Sequence, residues 1–576
     1  VRRAAAEVEF DASDVGEVAV ERQANGEGSG QSENTPPPAS DEFTPVEGGM
    51  PPPANGHRLA RIGVRPTGVR AFREFYDTRT RKPFLPRGNN LTRGADFFTP
   101  TVVEIRPGVT HAFSGILKYP HFDFTTRFAP FPGGPRAIGA PTTLSPGVGP
   151  GFYNPADIER QMNAMRRSGY NVVRVFFDNW YHAPGLADWP AGAPKLCTAY
   201  VNNAIDFIRR AERHGMHVVL SWGWLAETYY KPYAEAPLRR GNRMFDPEEY
   251  KPIDGICWHV DPNGEPDVQG DNVIFMHKGV VAGTSAYIRD VLKYMRGRAP
   301  DVMTAILGIE LLNEPAFQRL AYGLDGQVVE TKPFSMDSGE FRITLAGVND
   351  GANVYDMGDE EDRKRLVRDA TVYWLNEVAG PIEADRRFAK ILIPGGAVYT
   401  PYSKQLSGYH GLPKFRDLAP GCNVPDPPAG CENALEPHRV KTYADHPLVD
   451  YIDIHLYPTP TISPTYDITE DLASAELVVE GGGRSKFTTP GAPDLNQPMN
   501  MGEFGAWDGT YPTIVEAVDV LLGQQVRSSE YGFFGWQFFT WDSEIAGGAN
   551  RFWNAMDDGE QINIALAPAH RPDPDR

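Results

Sequence analysis

The sequence predicts an α/β chain folded as a (β/α)8 barrel, with long βα-loop insertions and an acidic, Pro-rich N-terminal extension. Three observations predict it. Eight short apolar runs alternate with helical stretches or long loops from about residue 70 onward. Most of these runs are continuously apolar instead of alternating with polar residues, the pattern of strands buried on both faces as in a parallel sheet. Gly 58 and Pro 52 make 110 of 576 residues, about 19%, which suits a scaffold carrying many loops better than a helical bundle. An open, doubly wound sheet is the alternative, but no Gly-x-Gly-x-x-Gly follows an early strand and no Walker loop is present.

The chain divides at about residue 60. Val1 to Gly56 holds three basic and eleven acidic residues, so it carries −8 of the formal net charge of −19. With two aromatics and two Pro-Pro-Pro runs, residues 1–60 read as a solvated extension or linker. A short alternating stretch, Val8-Glu9-Phe10-Asp11, has the pattern of an edge strand. Residues 61–576 read as the barrel domain with a C-terminal tail. Its first strand is Phe84 to Asn90, ending in a polar turn. A helix from Ala156 to Ser168 leads into a strand from Asn171 to Phe177, and an amphipathic helix from Thr198 to His214 feeds a third strand, His217 to Trp222. Ser285 to Arg298 is helical and precedes the run Ala305 to Leu312; a helix over 360–379 precedes Lys390 to Ile393. Tyr451 to Leu456, Met499 to Gly502, a helix over 513–528 and Phe533 to Phe539 complete eight units.

Composition narrows the function classes. Lys+Arg 56 against Asp+Glu 75 makes a phosphate backbone an unfavourable partner, so no nucleic acid is expected. No apolar run reaches 18 residues, so no transmembrane segment is expected. The chain begins at Val1 without a charged-then-apolar leader, so either a signal peptide has been removed or the sequence starts inside its gene; a secreted, extracellular or periplasmic location with the signal peptide removed is the expectation. Cys197, Cys257, Cys422 and Cys431 are an even set with one close pair, which fits two disulfides in an oxidising compartment; four unpaired buried thiols are the alternative. No Cys-x-x-Cys or His-x-x-x-His spacing is present, so no metal site is expected, and no cofactor. The stretch Asp261 to Asp267 has the composition of a calcium loop, but its glycine is misplaced for one and it reads as a plain turn.

Barrel enzymes place functional groups just beyond the C-terminal ends of their strands. The second strand contains Arg174, the fourth runs into Asn313-Glu314-Pro315, the sixth into His455-Leu456-Tyr457, the seventh into Gly502-Glu503-Phe504-Gly505, and the eighth into Trp541. Glutamates at the ends of two buried strands are costly for a fold and natural for a site.

Together, Gly169-Tyr170-Asn171-Val172-Val173-Arg174, Leu312-Asn313-Glu314-Pro315, His455-Leu456-Tyr457 and Met501-Gly502-Glu503-Phe504-Gly505 occur in an order that resembles glycoside hydrolase family 5, the cellulase-like branch of the retaining (β/α)8 glycosidases. The resemblance spans about residues 70 to 545. It implies Glu314 as acid/base and Glu503 as nucleophile, with Arg174 keeping Glu503 ionised, Tyr457 donating to it, Asn313 on the sugar 2-hydroxyl and His455 orienting the acid/base region or a hydroxyl. Trp541 is expected under the sugar in the cleavage subsite, in preference to Trp536. Trp222 and Trp507, with Trp224 and Trp258, are expected either to line further subsites or to pack. The chain departs from the family at the third strand end, where a frequent histidine is replaced by Ser221-Trp222-Gly223-Trp224, and in its long loops at 223–279 and 316–359. The implied partner is a β-linked oligo- or polysaccharide, with β-1,4-glucan first and β-mannan, β-1,3-glucan or a β-glucoside next. A non-catalytic glycan-binding barrel and a transglycosylase are the competing functions.

Overall fold

The computed structural model describes residues 58–67, 73–91, 155–177, 198–222, 275, 278–313, 315, 360–399, 446–456, 497–506, 513–541, 554–556 and 559–570, with short strand pieces at 100–106, 109–114, 136–138, 239–240, 243–244, 342–344 and 354–356. Contacts divide the chain into Val1–Pro51 and Pro52–Arg576, and every described residue belongs to the second unit. Among the described residues no helix is long and apolar enough to cross a membrane.

Eight strands form one parallel sheet: β1 (Arg87–Asn90), β2 (Val172–Phe177), β3 (His217–Trp222), β4 (Ile306–Glu310), β5 (Pro394–Tyr399), β6 (Tyr451–Leu456), β7 (Met499–Phe504) and β8 (Phe533–Phe538). Their order is β4-β3-β2-β1-β8-β7-β6-β5, each strand beside its sequence neighbours. The two ends meet, because Gly308 bridges Leu392 in parallel and the Ile309 N–H donates to the Leu392 carbonyl at 2.9 Å. The sheet therefore closes into the expected (β/α)8 barrel. One boundary differs: β5 begins at Pro394, after the apolar run at 391–393. Pro394 has no N–H, yet its Cα pairs with Tyr451; Leu392 turns inward and Ile391 and Ile393 outward as the chain enters the barrel.

Helices α1 (Pro155–Arg167), α2 (Thr198–Arg213), α3 (Lys278–Arg298), α4 (Glu360–Val378) and α5 (Ile514–Glu530) agree with the predicted helices. α3 starts seven residues earlier than its periodicity indicates. Val201, Ala204, Ile205, Ile208 and Ala211 of α2 recur at helical spacing and are all buried. Gly169 and Gly215 follow α1 and α2 at φ +86° and +78°, the left-handed conformation that ends a helix and turns the chain into the next strand. Thr513 and Glu516 form a reciprocal capping box at the start of α5.

Strand alternation sorts the interior into two apolar bodies. Outward residues such as Val173, Val175, Val218, Leu220, Ile452 and Ile454 join the helices in the larger core. Inward residues Val172, Val219, Leu307, Leu392 and Tyr451 form a smaller core inside the barrel. Ile62 and Phe75, from the antiparallel hairpin Ile62–Pro66 and Arg73–Asp77, join this inner core, and Phe75 meets Tyr451 edge-on at 5.1 Å. These inner residues stand near the strand starts, so the hairpin plugs the N-terminal end with an apolar floor. Further along β1, β2, β3, β4 and β6 the inward residues become polar, at Asn90, Arg174, Ser221, Glu310 and Asp453. That change of chemistry along the barrel axis positions the site.

Candidate active site

Arg174 is the hub of the polar layer. It is inward on β2, fully buried, and its five N–H groups are surrounded by six acceptor atoms. Nε donates to Glu310 at 2.9 Å to Oε1 and 3.0 Å to Oε2, and Nη2 donates to Glu310 Oε2 at 2.6 Å. Nη1 donates to Asn90 Oδ1 at 2.7 Å and to Glu503 Oε1 at 2.5 Å. Nη2 also reaches Ser221 Oγ at 3.0 Å and Asn313 Oδ1 at 2.7 Å. Burial would depress this guanidinium's pKa, but the charges of Glu310 and Glu503 outweigh it and push the pKa up. Arg174 is therefore a permanent cation in contact with two carboxylates.

The other predicted residues fall around it. Glu503, at the end of β7, is nearly enclosed, and its Oε2 lies 3.4 Å from His455 Nδ1. His455 and Glu503 are register partners across β6 and β7. Burial and the Arg174 charge both hold the His455 pKa well below its ordinary value, so the ring is a neutral imidazole at physiological pH. Asn313 lies just beyond β4, half-buried, its own N–H donating to the Trp222 carbonyl at 2.6 Å. Because Arg174 can only donate, Asn313 must turn Oδ1 toward it and its NH2 group away.

Two tryptophans are not brought to this site. Ser221 and Trp222 are consecutive on β3, so with Ser221 pointing in at Arg174 the indole of Trp222 must point out. Trp222 is fully buried against Phe177, with ring centroids 4.9 Å apart, in the layer between barrel and helices. Trp541 is 1% exposed and packs edge-on against Tyr170 at 5.9 Å in the same core. An indole enclosed to that degree offers no face to a sugar ring. Its contribution to the site is through the backbone: the Trp541 N–H and the Thr540 hydroxyl both donate to the Asn90 carbonyl, at 2.9 and 2.7 Å. Trp536 is also buried, edge-on to Tyr170 and Phe504.

Glu314, Tyr457, Trp507, Trp224, Trp258, the four cysteines, the Asp261–Asp267 turn and residues 1–57 lie outside the described residues.

Four buried polar residues of the cluster are absent from the sequence expectation. Asn90 ties β1 to β7 by donating to the Gly502 carbonyl at 2.8 Å while accepting from Arg174. Ser221 and Glu310 are paired by register on β3 and β4. Asp453, fully buried on β6, has its carboxyl pushed well above the usual range by burial and by the adjacent Glu310. Ser221, Glu310 and Asp453 each stand at an inward position of a largely apolar strand, which is the one signal that marks them; Asn90, on the polar strand β1, has no such signal.

No known family profile and no curated relative matches the chain. Among solved structures, it is similar to an endo-1,4-β-mannanase from Rhizomucor miehei, at 12% identity and TM-score 0.43 over 88% of this chain and 98% of that one. It is also similar to a glycoside hydrolase family 5 mannosidase from Rhizomucor miehei, at 14% identity and TM-score 0.41 over 89% and 98% of the two chains. A third is an exo-β-1,4-mannosidase from Opitutaceae bacterium strain TAV5, at 14% identity and TM-score 0.38 over 86% and 61%. The likeness is one of overall fold. What the residues do rests on the cluster around Arg174.

Proposed function

We propose that the chain is a retaining glycoside hydrolase of the family 5 type, which cleaves β-linked glycans by double displacement. The observation that carries this reading is the buried ion pair between Arg174 Nη1 and Glu503 Oε1 at 2.5 Å, at the polar end of a closed barrel. A carboxylate held against a permanent cation stays ionised, as a nucleophile toward an anomeric carbon must.

In the proposed mechanism Glu503 attacks the anomeric carbon while Glu314 protonates the leaving oxygen, giving a glycosyl-enzyme. Glu314 then removes a proton from water, which hydrolyses that intermediate and frees Glu503. Asn313 is suited to present its NH2 to the sugar 2-hydroxyl, a hydrogen bond that strengthens as positive charge develops on the sugar. Neutral His455 orients Glu503 or a hydroxyl without adding a competing cation, and Tyr457 is proposed to donate to Glu503. Trp507 is proposed to line a subsite. The substrate class is a β-1,4-linked glucan or mannan, and the setting is extracellular or periplasmic.

The test is hydrolysis of β-1,4-mannan, β-1,4-glucan, β-1,3-glucan and aryl β-glycosides by the wild type and by Glu503→Ala, with product anomers followed by NMR. The expected result is β-product from the wild type and loss of activity in Glu503→Ala, with azide restoring α-glycosyl azide formation from an aryl glycoside. Equal activity in both proteins refutes the nucleophile, inverted wild-type product refutes retention, and inactivity on every substrate refutes hydrolysis in favour of glycan binding.

A further inference from the structure

The proposed chemistry uses one edge of Arg174, while the other edge is occupied by a residue with no role in that chemistry. Glu310 accepts from both Nε and Nη2, a fork-to-fork pair that fixes the plane of the guanidinium. With that plane fixed, Nη1 points at Asn90 and Glu503, and the remaining Nη2 hydrogen serves Ser221 and Asn313.

Glu310 in turn faces a second buried carboxyl, Asp453. Asp453 Oδ1 accepts from Asn500 Nδ2 at 3.2 Å, the Gly502 N–H also donates to the carboxyl, and Oδ2 is buried without a hydrogen-bond partner. The carboxyl lies against the Gly502 backbone, where a Cβ on residue 502 would overlap both of its oxygens, so the pair needs glycine at that position. Two ionised carboxylates in contact without water repel strongly, and one proton between them turns the repulsion into a hydrogen bond. The surrounding groups locate that proton. Glu310 presents both of its oxygens to the Arg174 fork, whereas Asp453 Oδ2 is left without a hydrogen-bond partner, so the place for the proton is on Asp453. The Arg174 charge and the Gly502 N–H act the other way on Asp453 but are outweighed by burial and Glu310, and neither Tyr451, whose phenol burial and Asp453 push up, nor the neutral His455 adds a positive charge beside it.

We propose that Glu310 is a positioning residue: paired with Asp453 through one shared proton, it clamps one edge of Arg174 so that the other is held on Glu503 and Asn313. This rests on the reading of Glu503 as nucleophile. The proton of the pair is carried by Asp453, which acts as a neutral donor.

The experiment compares Asp453→Asn with Glu310→Gln on an aryl β-glycoside that the wild type hydrolyses, with urea denaturation to establish folding. An Asn at 453 supplies the same hydrogen to Glu310 and still accepts from Asn500, so kcat should stay within about threefold of wild type. A Gln at 310 turns an NH2 toward the Arg174 donors and releases the clamp, so kcat should fall at least about thirtyfold with KM held within about threefold. If Glu310→Gln does not fold, Glu310→Asp takes its place; it keeps the charge and shortens the clamp by one methylene, and kcat should again fall with KM held. The proposal is overturned by wild-type kcat in the folded Glu310 variant, or by a loss of kcat above about tenfold, or of folding, in Asp453→Asn. Those outcomes, with an active wild type and an inactive Glu503→Ala, reject the clamp alone. An inactive wild type rejects the glycosidase reading and the clamp with it.

Discussion

Replacing Arg174 with lysine keeps the charge and removes the fork, so it separates the two things this residue supplies. Arg174 makes contacts to six acceptor atoms on five residues, and the longest is 3.0 Å. An ammonium has three hydrogens and no plane, so it can satisfy at most three of those acceptors. Its charge would be drawn to Glu310 and Glu503, leaving the buried Asn90 and Ser221 and the half-buried Asn313 without their donor. At about 1–2 kcal/mol for each buried acceptor left unpaired, Asn90 and Ser221 give an expected loss of stability of about 2–4 kcal/mol, to which half-buried Asn313 adds less. Asn313 would also lose the bond that fixes its amide, and the nucleophile would lose its fixed rotamer, so kcat should fall about a hundredfold. Urea denaturation followed by tryptophan fluorescence reads the first quantity, and initial rates on an aryl β-glycoside read the second. A lysine variant with an unchanged midpoint and kcat within about threefold of wild type would show that a positive charge alone suffices, and the argument from the fork would fail.

Trp222→Leu should destabilise the protein by about 3 kcal/mol through loss of packing against Phe177, and leave KM unchanged because the ring faces the helices. A raised KM at unchanged stability would return the indole to a sugar subsite. Asp450 accepts from the Ile393 N–H at 2.8 Å, and burial, with the charge of Glu383 adding to it, raises its pKa to about 6. The folded state then binds more protons than the unfolded state between about pH 4 and pH 6, so this group's contribution to stability is lost as pH rises through that window, by up to about 3 kcal/mol. Asp450→Asn should therefore gain on the wild type as pH rises from 4 to 7, measured as the difference between two denaturation series, and a flat or falling difference would contradict the raised pKa.

The barrel was legible because most strands are runs of residues that have to be buried on both faces, and because helices such as α1 and α2 break off at a glycine before the next strand. β1 shows the limit. Arg87-Gly88-Asn89-Asn90 is almost wholly polar, and only the buried partners of Asn90 on β2, β7 and β8 explain why such a sequence stands in a barrel. The strand-end motifs located Arg174, Asn313, His455 and Glu503, four residues that the fold brings to one end of the barrel. Glu310 and Asp453 were passed over because each stands alone in an apolar run, where a charge reads as an interruption until its partners on other strands are known. Parity along β3 was nevertheless available: an inward Ser221 obliges an outward Trp222. The aromatic positions went astray because a strand-end tryptophan serves packing or a sugar equally well by sequence, and only its direction decides.

A buried ion cluster of this kind is difficult to justify by stability. Desolvating an arginine and its carboxylates costs several kcal/mol per ion, and well-packed apolar residues commonly do as well or better. The apolar floor just below, built from Val172, Val219, Leu307 and Tyr451, shows that these same strands can fill the barrel without charge. What the cluster adds is direction. One guanidinium touches Glu503 from β7 and Asn313 from the end of β4, the residue next to Glu314. In the proposed reaction those are the two sides of the scissile bond, the nucleophile and the neighbour of the acid. A displacement of Arg174 would move both together, which links the spacing of the two glutamates to a single side chain on β2. The clamp of Glu310 and Asp453 then has a physical purpose that stability does not supply: it holds that one side chain still.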